Sequence, residues 1–409
     1  MKLKSNTLKT LNSFVSIVIL LCLVLTGCGR TSKNTIALKR ENENLRNFNQ
    51  IISRMTKTGD MLYFLNAGSN RMLYTDLECG VSGYLCGKPE CTHVDENCNA
   101  FLGTVYSCFP ITSYKDKIYW THLDDEDLSQ HLFRMDVNGQ NHEEVLILAE
   151  SDNDDSWPRG NPHLQITNGY AVASGYNNYI QDGEWVTRHQ ITIYKLDNGE
   201  RTLIFDDGYS SLNSWLTVQC EGNYIYYSYC ADRRLNPDFS EDDSFLKFFR
   251  YNLENGKTEL LYENHCEDGL FVYEFTVRGD QIWFIPNLED TDIPLYHLDL
   301  TKGTVSMAYV IHEYGDHWLT DSAMVSYYPA EDYQFRISLT DFEGKILLDQ
   351  VYNRDFLSSL DAFTGFWYCG ADEDRIYFRF EGTDSECVYI AVPISGSPLE
   401  VIWHERKQN

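Results

Sequence analysis

A strand-bearing unit recurs seven times along this chain, and that repetition constrains the fold more than composition does. Each unit holds a short core: Leu62-Tyr63-Phe64, Ile118-Tyr119-Trp120, Ala171-Val172-Ala173, Ile225-Tyr226-Tyr227, Ile282-Trp283-Phe284, Val325-Ser326-Tyr327 and Ile376-Tyr377-Phe378. The cores follow one another at 56, 53, 54, 57, 43 and 51 residues. Period-two alternation with β-branched and aromatic residues marks strands, and these units lack helical periodicity. A tight polar turn precedes most cores, as at Lys115-Asp116, Asn168-Gly169, Glu221-Gly222 and Gly279-Asp280. A second turn follows the next strand, as at Asn138-Gly139, Asn198-Gly199, Asn255-Gly256 and Glu343-Gly344. Asn-Gly supplies the positive φ that a two-residue hairpin needs. Such units predict an all-β chain, a seven-bladed β-propeller of four-stranded antiparallel blades over residues 50–405. A pair of β-sandwiches would not repeat so regularly.

The second unit carries I-Y-W-T-H from Ile118 and L-F-R-M-D-V-N-G-Q-N-H-E-E-V-L from Leu132 to Leu146. It resembles the YWTD and TolB-like propeller repeats. His122 stands where those repeats have aspartate, so the blade contact usually made there has to differ. With its C-x4-C-x-H-x4-C segment after the first unit, the chain is similar to a group of uncharacterised propeller lipoproteins of Gram-positive anaerobes. The resemblance covers nearly all of the chain beyond its N-terminal segment, and it implies no reaction.

The N-terminus reads as a targeting signal. Lys2, Lys4 and Lys9 precede an apolar run from Phe14 to Leu25, about the length of a secretory core and short for a membrane span. It ends in Leu25-Thr26-Gly27-Cys28, which resembles the bacterial lipobox. The expectation is a signal peptide over 1–27, lipidation of Cys28, and a polar tether over 28–49. Two or three acyl chains would hold Cys28 in a membrane on the extracytoplasmic face. Removing 1–27 takes away three lysines and no acids, so the net charge deepens from −28 to −31. A chain so acidic is a poor partner for nucleic acid, which needs a basic face.

Strand order assigns the loops to two faces. Turns between first and second strands, and between third and fourth, are short and share one face. The remaining loops are long and acidic, and they collect Asp125, Asp127, Asp154, Trp157, Tyr179, Trp185, Asp242 and Asp290. Long loops on a rigid scaffold commonly carry function. The expectation is a non-enzymatic module binding a protein, peptide or glycan through this face. The alternative is an envelope glycan hydrolase or lyase using paired acids there. No G-x-S-x-G, H-E-x-x-H or Walker-type string occurs, and no catalytic residue is assigned. Asp152-Asn153-Asp154-Asp155 lacks the glycine and glutamate of a calcium loop, so calcium is not expected.

Ten cysteines remain beyond Cys28, outside a reducing cytosol. Cys86, Cys91, His93, Cys98 and Cys108 fall in the insertion 86–108 between the first two units, assigned to the long-loop face. Disulfides are favoured there, because the spacing departs from a standard zinc knuckle and external thiols oxidise. A CCHC zinc site is the second reading and a redox pair the third. Cys230 and Cys266 fall in loops of unit four and form a candidate pair. No other cofactor is expected.

Overall fold

A computed structural model shows how these units assemble. It describes residues 54–405 apart from 67–69, 104–109, 125, 151–159, 182–183, 209–212, 233–243, 266–271, 287–291, 331–333, 360–362 and 384–385. The described strands form seven sheets, each of four consecutive antiparallel strands. Blades 1 to 7 span 55–84, 111–149, 160–206, 213–265, 272–311, 316–353 and 363–405. All seven triplets read from the sequence fall in second strands, from Met61–Asn66 in blade 1 to Arg375–Gly382 in blade 7.

The alternation has a specific purpose. Seven apolar clusters hold the blades, and each lies between two neighbours, including blades 7 and 1. Side chains of one strand point alternately to opposite faces of the sheet. Thus Leu62 and Phe64 pack toward blade 7, while Tyr63 packs toward blade 2. Likewise Ile225 and Tyr227 face blade 3, while Tyr226 faces blade 5. Blade 6 breaks the phase read from sequence: Met324 faces blade 5, whereas Val325 and Tyr327 face blade 7. A slip of one residue exchanges the two faces of a strand, so the in-phase triplet of blade 6 is Met324-Val325-Ser326.

First strands of successive blades adjoin and are stitched by polar side chains. Gln165 Oε1 accepts from Cys220 N at 2.9 Å, and Gln219 Oε1 from Val277 N at 3.0 Å. Glu274 Oε2 accepts from Leu319 N at 2.9 Å, linking blades 5 and 6. The ring closes between blades 1 and 7 without a shared strand among the described residues. Lys57 pairs with Asp372, Tyr377 donates to Asp372 at 2.7 Å, and Tyr389 donates to Leu65 O at 3.0 Å.

The outer edges repeat a second feature. In blades 2 to 7 the pairing of third and fourth strands shifts register, so the fourth strand carries one extra residue, or two in blade 2. Bulges twist an exposed edge and blunt it as a template for another chain.

Candidate metal centre

The insertion after blade 1 is fastened at both ends to one residue. Met72 O accepts from Leu85 N at 2.9 Å, and Met72 N donates to Ala100 O at 2.8 Å. Between these anchors the chain turns twice. Cys91 N donates to Lys88 O, and Cys98 N to Asp95 O, each at 3.2 Å. Asp95 Oδ1 caps the second turn by accepting from Asn97 N at 2.9 Å. His93 between them takes a positive φ of 59°, rare for a residue with a side chain.

These turns aim four ligand-type side chains inward. One ligand atom from each of Cys86, Cys91, His93 and Cys98 lies within 4.8 Å of all the others. His93 Nδ1 is 3.3 Å from Cys98 Sγ, and the His93 ring lies 5.1 Å from that of Tyr84. The three cysteines are free thiols, and Cys98 is buried. Ala100 N points at Cys98 Sγ at 3.4 Å. Burial pushes the Cys86 thiol up, but hydrogen bonds from Lys88 and Asn99 N–H groups and from Cys91 and Cys98 outweigh it, leaving the thiol lowered. Burial, with Cys91 and Cys86 facing it, pushes Cys98 up to about 11. A tetrahedral zinc ion with bonds of about 2.3 Å to sulfur and 2.0 Å to nitrogen sets its ligand atoms about 3.5–3.8 Å apart. The four side chains need only draw in slightly to meet that geometry.

The centre sits at the outer edge where blades 1 and 2 meet, in the connection from the fourth strand of blade 1 to the first strand of blade 2. A Cβ on Gly139, in the short turn of blade 2, would fall 2.4 Å from Leu85 O. The returning limb packs so closely that a Cβ on Gly103 would fall 2.6 Å from the His122 ring. His122 is therefore the floor under the last described residue of the insertion, Gly103.

Cys28, Cys108, Asp125, Asp154, Trp157, Asp242, Cys266 and Asp290 lie outside the described residues. Asp127 is exposed and caps its own turn, accepting from Ser129 N at 2.8 Å. Tyr179 and Trp185, expected in a long loop, lie instead in the strands Tyr170–Gln181 and Glu184–Lys195. Tyr179 pairs there with Val186, and Trp185 with Ile180. Cys230, expected in a loop, is buried in the strand Tyr224–Asp232 and packs with Leu246 and Phe275.

One cluster that sequence reading missed has the residue types of a hydrolase. His189, Asp207 and Ser214 meet between blades 3 and 4. Asp207 Oδ2 lies 3.1 Å from His189 Nδ1, and Ser214 Oγ lies 3.2 Å from that same nitrogen. A proton relay needs the acid on one ring nitrogen and the nucleophile on the other. Tyr229 donates to Asp207 at 2.9 Å, and His189 N donates to it at 2.7 Å. As arranged, the cluster is a satisfied polar joint between blades.

No protein-family model and no curated protein matches the chain. Solved structures match its fold. A puromycin hydrolase is similar with a TM-score of 0.50 at 11% identity, over 88% of this chain and 54% of that one. The propeller domain of the trilobed protease from Pyrococcus furiosus matches at 0.46 and 11% identity, over 86% of this chain and 98% of that one. Oligopeptidase B from Leishmania major matches at 0.46 and 7% identity, over 89% and 49%. This chain thus spans about half the length of the puromycin hydrolase. At such identities the likeness shows the fold alone, a β-propeller.

These findings correct the functional expectation. The propeller fold is shared with a puromycin hydrolase at a TM-score of 0.50, so the fold does not single out a non-enzymatic binding module.

Proposed function

We propose that this chain is a propeller tethered to the outer side of the cell membrane by lipid on Cys28, and that its functional centre is a zinc site. Cys86, Cys91, His93 and Cys98 would hold the ion. The observation that carries the reading is the convergence of three free thiols and one imidazole nitrogen within 4.8 Å. Soft sulfur with imidazole selects zinc over hard cations such as magnesium or calcium. Four protein ligands leave no open position, the pattern of a structural site. The ion would pin the interior of a polar loop whose ends are already fixed at Met72, and so fasten blade 1 to blade 2 at their outer edge.

The test is metal analysis of the purified chain lacking residues 1–27, with Cys28 replaced by serine. One zinc per chain is expected, lost in the Cys91→Ser/Cys98→Ser double variant. Absence of metal, with these cysteines recovered as disulfides by mass spectrometry, would overturn the reading. For the tether, Cys28→Ser in the full chain should move the protein from the membrane fraction to the soluble one.

A further inference from the structure

The first strands of blades 4, 5 and 6 bring two aromatic rings and one carboxylate together. Val272 pairs with Pro286 and Glu274 with Ile285, which leaves Tyr273 as the extra residue of a bulge on the first strand of blade 5. A bulge re-aims a side chain. Val272 packs toward blade 4 and Glu274 reaches Leu319 in blade 6, so Tyr273 stands out of the ladder and is 40% exposed. The half-buried Trp215 of blade 4 lies beside it, with ring centres 6.3 Å apart and planes tilted by 32°. Asp316 opens the first strand of blade 6.

Solvent reaches this group, yet protein surrounds it. Asp316 is exposed, but burial pushes its carboxyl up. Burial, then Glu274 and Asp316, push the Tyr273 hydroxyl up as well. Accessible atoms in a partly desolvated setting mark a recess rather than an open surface. Among the described residues Asp316 has no hydrogen bond or ion pair, and no base acts on its carboxyl. Arg354, which shares with Asp316 an influence on Tyr327, is taken up by that hydroxyl, to which it donates at 2.6 Å. No lysine or arginine among the described residues rests on the Trp215 or Tyr273 ring.

Two ring faces and a carboxylate without a cation of its own are the complement of an organic cation. The net charge of −28 favours the same sign of ligand. A primary ammonium brings three N–H donors and needs acceptors for them, but only one carboxylate is offered here. A trimethylammonium group has no N–H and gains instead from ring faces. We infer that Trp215, Tyr273 and Asp316 bind a small soluble quaternary ammonium compound of the choline class. The rings hold the methyl groups, and the carboxylate holds the charge. The site is separate from the proposed zinc site, which lies between blades 1 and 2.

The experiment titrates choline, ethanolamine, and the neutral alcohol in which carbon replaces the choline nitrogen, each into the purified chain by calorimetry. Saturable binding of choline is expected, at least about tenfold tighter than either of the others. Asp316→Asn and Tyr273→Leu should each lower choline affinity by about tenfold or more with thermal unfolding unchanged, whereas Tyr273→Phe, which keeps the ring, should retain it. No binding of choline would overturn the inference, as would equal binding of the neutral alcohol or of ethanolamine. Full affinity in both Asp316→Asn and Tyr273→Leu would overturn it too. Binding to phosphatidylcholine vesicles without binding of choline would give the site to a lipid headgroup and overturn the soluble ligand.

Discussion

His93 Nδ1 stands 3.3 Å from Cys98 Sγ, on a backbone held at a φ of 59°. A histidine in the left-handed region costs on the order of 1–3 kcal/mol, and here that conformation turns the ring toward the sulfurs. If the ring is a ligand, His93→Ala should weaken zinc by more than the roughly 10–100-fold typical of outer-shell changes. His93→Cys should restore much of the loss. Competition against a chromogenic chelator measures both. Equal affinity in wild type and His93→Ala would remove the histidine from the ligand set.

Gly139 has a φ of 75°, and its missing Cβ leaves room for Leu85 O at the metal loop. Gly139→Ala should cost about 1–3 kcal/mol in denaturant unfolding, from backbone strain and the displaced loop. Gly59→Ala is the matched control, because its φ of 55° is similar and nothing lies within 4 Å of its Cβ position. It should cost about 1 kcal/mol or less. Equal costs would show that the loop does not press on blade 2.

Glu274 gives a pH prediction with a definite sign. Burial pushes its carboxyl up to about 8 from an ordinary 4.5, the Leu319 N–H acting the other way. The unfolded chain ionises this group first, so folding stability from it is full below 4.5 and is lost as pH rises toward 8. Glu274→Gln keeps an acceptor for Leu319 and removes the charge. Unfolding midpoints measured across that window should slope downward in the wild type and run flatter in the variant.

His317 acts on the acid side. Burial lowers its imidazole to about 4, and Ser326 Oγ lies 2.8 Å from Nδ1. Its contribution is full above about 6.5 and is lost as pH falls toward 4. His317→Asn should blunt the acid limb of the same midpoint curve. An unchanged acid limb would assign that loss to other groups.

Much of the scaffold was legible because burial on both faces of a strand leaves a period-two mark. Tyr63 and Tyr226 show it, each turned away from its two neighbours in sequence. The strands carrying Tyr179 and Trp185 were not legible, because polar residues such as Asn177 and Asn178 interrupt their apolar alternation. The cluster of Cys86, Cys91, His93 and Cys98 was half legible. Its residue types were visible, but their approach depends on Met72 gripping both ends of the loop, a tertiary fact. The group of Trp215, Tyr273 and Asp316 was invisible, since its members come from the first strands of three blades.

The seam between blades 1 and 7 is sewn by side chains such as Lys57 and Asp372. Asp372→Asn should cost about 1–3 kcal/mol, less than a fully buried pair because both partners retain some exposure. Denaturant unfolding measures it, and a double Lys57→Met/Asp372→Leu variant recovering that loss would mark the charge rather than the shape as the sensitive element.

Because each sheet uses four consecutive strands, a nascent blade can complete its own ladder without waiting for distant sequence. Only the seam must wait. Phe64 stays without Tyr389 until the last blade is made, so the first blade is the stretch most in need of protection while the ribosome finishes the chain.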